Sequence, residues 1–300
     1  MKSILWAEMP SIIETIGTCA VEAMLLEANC APAPGLVDRY NSGAHNDMDI
    51  FTFIRSTASL APSMYSMAKL GYQYVGSESD LLRAIRPIGL RAEHDMMKAT
   101  KGVNTQKGLI FLMGILCAAA GYTYNKKGVI TIESIIQTVK SMCEGLVNRE
   151  LTQNLPTKDE KEYSHGEILY ARYGIRGIRG EVEDGLPTIV NAGLPAYTEA
   201  LQRGFSDDKA LIHALLGIMS ASEDTTILHR HSMPVLKEVQ RYADELYRSE
   251  AAFTTEGLER IKELDNQFIE RYISPGGSAD LLAATHFLYS ITHESIHETV

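Results

Sequence analysis

The chain has 300 residues, 45% of them hydrophobic and 22% charged, with a formal net charge of -10. That length allows one large domain or two modest ones with a sizeable core. The acidic balance excludes a general nucleic-acid or anionic-membrane surface, so a polyphosphate ligand would need a local basic pocket or a divalent cation.

The elements follow in order. Ser11 to Ala28 carries Ile12, Ile13, Ile16, Ala20, Ala23, Met24 and Ala28 at helical spacing, and Pro32 and Pro34 stop it. A second helix is predicted from about Asp47 to Tyr65, with Asn46 or Asp47 as its N-cap and Pro62 as a kink or end. Ser77 opens a short helix to Ile85, and Pro87 and Gly89 lead into a separate one ending at Lys98. Thr105 to Ala119 is the most apolar segment, closed by Gly121. Its continuous apolar run is about twelve residues, where a bilayer span needs roughly 20; it is predicted to be a buried core helix. Helices over 131–146, 158–173, 194–203, 207–220, 234–248, 255–272 and 278–292 complete the set. No strand series, repeat or long linker is visible, which predicts a single all-α domain over residues 1–300 with a central buried helix at about 105–120.

The four cysteines, Cys19, Cys30, Cys117 and Cys143, form no C-x-x-C pair. They are predicted to be buried thiols of a reducing cytoplasm rather than a disulfide or zinc framework. Glu8, Pro10 and Glu14 interrupt any secretory leader, and no membrane anchor is expected. No heptad seam is long enough to fix an oligomeric state.

Five segments concentrate polar chemistry at predicted helix starts. In 34–49, Arg39, Asn41, His45, Asp47 and Asp49 crowd one loop; a helix starting near Asn46 would put His45 and Asp49 one turn apart. In 102–108, Asn104 and Lys107 precede the core helix, whose free N–H groups suit phosphate, although the P-loop pattern is absent. The span 174–185 holds four glycines with Arg176, Arg179, Glu181, Glu183 and Asp184, and is read as a ligand-contacting or merely surface loop. Glu223-Asp224 precedes His229, Arg230 and His231, and Asp224 is a candidate metal ligand or helix cap. In 274–280, Gly276, Gly277 and Ser278 suit an anion and Asp280 a cation. His94, His213 and His286 are expected to be ordinary surface or core histidines. Together the five segments predict a cavity rimmed by helix N-termini that accepts Mg²⁺ and a polyphosphate.

These segments, P-G-L-V-D-R-x-N-x-G-A-H-x-D-M-D at 34–49, G-V-N-T-x-K-G at 102–108, R-G-E at 179–181 and S-P-G-G-S-A-D-L-L-A at 274–283, resemble the signatures of the triphosphoribosyl-dephospho-CoA synthase family. One departure is Gln106, where the family usually has histidine. The resemblance implies an all-α transferase that moves the 5-triphosphoribosyl group of ATP to the ribose 2′-hydroxyl of 3′-dephospho-CoA, with adenine leaving. It also implies that the product, a prosthetic-group precursor for citrate lyase or malonate decarboxylase, passes to a carrier-protein transferase.

Within that chemistry, His45, Asp47, Asp49 and Glu181 are assigned to proton transfer or base work. Arg39, Asn41, Asn104, Lys107, Arg179, Gly276, Gly277 and Ser278 are assigned to substrate and phosphate binding. Asp47, Asp49, Asp224 and Asp280 are assigned to Mg²⁺. Taken without the resemblance, the same acids would also suit a Mg²⁺-dependent all-α nucleotide phosphohydrolase, or a nucleotide-binding regulator without turnover.

Overall fold

The structure is a computed structural model that describes residues 11–153 and 163–294. Among them are thirteen α-helices and no strand. In chain order these are α1 (Ser11–Asn29), α2 (Ile50–Gln73), α3 (Glu78–Ala99), α4 (Lys107–Lys127), α5 (Ile132–Cys143), α6 (His165–Tyr173) and α7 (Gly177–Asp184). They continue with α8 (Leu194–Gln202), α9 (Asp207–Ala221), α10 (Thr225–Arg230), α11 (Met233–Arg248), α12 (Thr255–Glu270) and α13 (Gly276–Glu294). The start of the expected 158–173 helix lies outside the described residues.

The centre is α4, on which α1, α2, α3, α5 and α13 all pack. Its residues Leu109, Ile110 and Leu112 through Thr123 are buried on every side. At 21 residues it has the length and apolarity of a membrane span, yet it is enclosed by its neighbours. Its closest partner is α2, and the approach depends on glycine. A Cβ on Gly71 would lie 2.1 Å from the Ala118 carbonyl oxygen, and one on Gly121 would lie 2.3 Å from that of Ala68. The two backbones therefore meet without intervening side chains. Gly121 sits inside α4 for this reason; the helix ends at Gly128, whose φ of 71° is the left-handed C-cap conformation.

Pro62, expected as a kink or end, lies inside α2, and Pro87, expected between two helices, lies inside α3, so the predicted break at 85–87 is absent. Burial of Leu60, Met64 and Met67 in α2, and of Leu81, Leu82, Ile85, Ala92 and Met96 in α3, outweighs the roughly 3 kcal/mol penalty of an interior proline. Span 174–185 is a second departure. It forms α7, held by fully buried Val182 against α5, rather than a loop. The second helix starts at Ile50, not near Asp47, with Asp49 as its N-cap.

The remaining helices pack as α8 on α9 and α9 on α11, and α13 bridges the two groups by contacting α1 and α4 on one side and α8 and α9 on the other. All four cysteines are free and buried. His213, buried and stacked on Tyr247, and His286, hydrogen-bonded to the Tyr197 hydroxyl at 3.0 Å, are core histidines. His94 is exposed.

Candidate active site

The loop before α2 spends most of its polar groups on its own shape. Buried Asp38 accepts the Tyr40 and Asn41 amides through Oδ1 at 2.7 and 3.0 Å. Asp265 of α12 accepts the Gly35 amide at 2.8 Å and Asn41 Nδ2 at 2.9 Å. Gly35, at φ 72°, leaves no room for a Cβ, which would fall 2.0 Å from the Ile273 carbonyl. Arg39 donates to both Asp208 oxygens at 2.8 Å and does not line the cavity. Asn41 likewise stays outside it. The assignment of Arg39 and Asn41 to phosphate is therefore corrected: they anchor the loop to α9 and α12.

What the folded loop delivers is His45 and Asp47. Both line one cavity of about 1170 Å³. His45 Nε2 lies 3.0 Å from Ser274 Oγ, and its Nδ1 is 4.0 Å from Asp47 Oδ1. Burial, reinforced by Arg230, holds its imidazole below the ordinary value, so the ring is uncharged near neutrality. Asp49 is not in the cavity. It is fully exposed, and its Oδ1 accepts the Thr52 amide at 2.8 Å in a capping box. Its assignment to base or metal work is corrected for that reason. Asp49→Ala is expected to lower the urea midpoint of unfolding while leaving adenine release unchanged. A loss of turnover with an unchanged midpoint would return Asp49 to the site.

The N-termini of α4 and α13 also open on the cavity, bringing in Asn104, Lys107, Gly108, Gly276, Gly277 and Asp280. Asn104 Oδ1 accepts the Lys107 amide at 3.2 Å, and Lys107 Nζ pairs with Glu93 at 2.9 Å. Gln106 is buried, its Oε1 accepting Ser56 Oγ at 2.6 Å, while its Nε2 has no hydrogen-bond partner among the described residues. Ser278 is not on the cavity wall: its amide and hydroxyl both donate to Asp224 Oδ2, at 2.7 and 2.9 Å. Asp224 Oδ1 takes the Thr226 and Ile227 amides at 2.9 and 3.2 Å. Although Asp224 borders the cavity, both its oxygens are committed to joining the start of α10 to the start of α13. The assignments of Asp224 to metal and Ser278 to phosphate are corrected accordingly.

The far wall comes from α6, α7 and α10. Arg179 pairs with Glu150 at 2.8 Å, and Arg176 pairs with Asp184. Glu181 is held by the Thr188 hydroxyl and by its amide at 3.3 Å, and burial raises its carboxyl above the ordinary range. His165 of α6 stacks on His229 of α10 with centroids 3.3 Å apart, a flat pair of the kind on which a purine stacks. Arg230 forms no ion pair with any described residue.

His45, Asp47, Asn104, Lys107, Arg179, Glu181, Gly276, Gly277 and Asp280 thus share one hollow. Two residues there carry no signature of their own in the sequence. His165 lies outside the five segments singled out in the sequence. Glu27 continues the apolar stripe of α1, taking the place after Ile13, Ile16, Ala20 and Ala23 where another apolar residue is expected. That break in the stripe is the signal that could have found it. Among the described residues no group of three or more His, Cys, Asp or Glu could hold a metal by itself.

Comparison with known proteins identifies the family of the chain. The sequence model of the ATP:dephospho-CoA triphosphoribosyl transferase family matches residues 13–299. A Vibrio cholerae protein described as a probable 2-(5''-triphosphoribosyl)-3'-dephosphocoenzyme-A synthase is 39% identical over 94% of this chain and 89% of its own length. Proteins of the same description from Photobacterium profundum and Malonomonas rubra are each 38% identical, covering 96% and 93% of this chain and 91% and 88% of theirs. No solved structure matches the chain. With the family model covering nearly the whole sequence, the chain belongs to the ATP:dephospho-CoA triphosphoribosyl transferase family.

Proposed function

We propose that the cavity holds ATP and 3′-dephospho-CoA together, and that the ribose 2′-hydroxyl of the acceptor displaces adenine from C1′ of ATP. The observation that carries this reading is the meeting of His45, Lys107, Arg179, Glu181 and Asp280, drawn from four separate signature segments, around one hollow. Its volume of about 1170 Å³ exceeds the roughly 300–1,000 Å³ of an ordinary single-ligand pocket.

Displacement at C1′ builds oxocarbenium character on the ribose, as in glycoside cleavage. Uncharged His45 is suited to accept the hydroxyl proton, directly or through Asp47. Glu181, kept protonated to higher pH by burial, is suited to donate to the departing adenine. Lys107, Arg179 and Arg230 with the N-termini of α4 and α13 would hold the triphosphate, Lys107 and Arg179 loosening their pairs with Glu93 and Glu150 to do so.

Mg²⁺ fits the donor chemistry, because the cavity offers carboxylate oxygens but no complete protein site. When bound, the ion would neutralise triphosphate oxygens. The product would serve as the prosthetic-group precursor of citrate lyase or malonate decarboxylase and pass to a carrier-protein transferase. A cytoplasmic setting agrees with four free, buried thiols.

Mass analysis of 3′-dephospho-CoA after incubation with enzyme, ATP and Mg²⁺ tests the reading. The acceptor should gain one triphosphoribosyl unit, and free adenine should appear only when acceptor is present. Inorganic phosphate released from ATP alone, with the acceptor unmodified, would replace it by a phosphohydrolase.

A further inference from the structure

Buried acids in this protein are otherwise satisfied. Asp38, Asp224 and Asp265 accept two or more hydrogen bonds each, and Glu167 accepts from the Ser164 amide and hydroxyl. Glu27 is the exception. It is only 6% exposed, lines the cavity, and receives no hydrogen bond or ion pair from any described residue. Asp280 lines the same cavity and is equally without such a bond, and its carboxyl is pushed up by burial first and then by the charge of Glu27. They stand on α1 and α13, which pack together.

Burying a carboxylate without a partner is expensive. Here one is placed on the wall of the same cavity as half-buried Asp280, where an anion is to be bound. Asp280 Oδ2 sits against the first turn of α4, since a Cβ on Gly108 would fall 2.2 Å from it. A phosphate drawn to that helix N-terminus would therefore face Asp280, with Glu27 on the wall of the same cavity, unless a cation lay between.

We propose that Glu27 and Asp280 form the two-carboxylate half of a divalent-cation site that the triphosphate of ATP completes. Mg²⁺ takes one or two protein carboxylates together with substrate phosphates and waters, rather than an all-protein cage. That preference explains why no three-ligand cluster exists among the described residues. The inference rests on the reading that this cavity binds ATP.

The test is the affinity of the full chain for ATP, without acceptor, measured by calorimetry with Mn²⁺ and again in EDTA. Wild type, Glu27→Gln, Asp280→Asn and Asp47→Asn are compared. Both Glu27→Gln and Asp280→Asn should bind Mn²⁺–ATP at least about tenfold more weakly than wild type, and bind ATP in EDTA as tightly or more tightly. That contrast between the two conditions comes from removing a metal ligand on which metal-free ATP does not depend, whereas loss of packing would weaken binding in both. Unchanged Mn²⁺–ATP affinity in both variants overturns the site. If Asp47→Asn alone weakens it, the cation lies elsewhere while the ATP reading stands. No nucleotide binding by wild type in either condition would overturn both.

Discussion

A Glu27→Gln variant is expected to gain stability over wild type as pH rises from 5 to 8.5, by on the order of 4 kcal/mol, or roughly 5–10 °C in Tm. Burial pushes the Glu27 carboxyl from its ordinary 4.5 up to about 8. Below about pH 4.5 the folded and unfolded chains both hold the proton, and its burial costs nothing through titration. Between 4.5 and 8 the unfolded chain has released it and the folded chain has not, so stability falls as pH rises. Above 8 the whole cost is present, and the amide, which does not titrate, escapes it. The charged neighbours reinforce the trend: Asp280 faces Glu27, is itself pushed up by burial and by Glu27, and remains in the variant. Differential scanning calorimetry at pH 5 and 8.5 checks this. Equal Tm differences at the two values would show that Glu27 is solvated or paired in the folded protein. Such a carboxyl is costly in the free protein, and a bound cation recovers the cost by mass action.

Gly71→Ala is expected to destabilise the protein by at least about 3 kcal/mol, and Gly89→Ala to stabilise it by roughly 0.5–1 kcal/mol. Both glycines lie within helices, α2 and α3. A Cβ on Gly71 would meet the carbonyl oxygen of Ala118 at 2.1 Å and its Cα at 2.8 Å. Those are backbone atoms of the central helix, which cannot turn aside as a side chain can. The helices would have to separate, and the buried α2–α4 contact, including Met64 and Met67, would loosen with them. At Gly89 the nearest atom to a new Cβ is Met67 Cε at 3.8 Å, an ordinary contact, so only the gain in helix propensity remains. Urea unfolding of the two variants should give midpoints on opposite sides of wild type. Midpoints shifted in the same direction would refute the close backbone crossing as the source of the effect.

Periodicity alone determined that this chain is helical and that 105–120 lies at the centre, because buried faces must repeat every three to four residues; it missed α7 and α10 and split α3. Polar groups clustered at helix starts also marked the segments from which the cavity is built. Which of those groups line the common cavity was decided only by tertiary structure. Arg39, Asn41 and Asp224 are the same residue types as Arg179, Asn104 and Asp280, but their partners are remote in sequence: Asp208 for Arg39, Asp265 for Asn41, and Ser278 for Asp224. A one-dimensional pattern does not encode a hydrogen bond across more than 200 residues, such as that between Asn41 and Asp265. Glu27 shows the converse. It occupies an apolar position of α1, and only the packing of α13 against that helix turns an irregularity in the stripe into one side of a carboxylate pair.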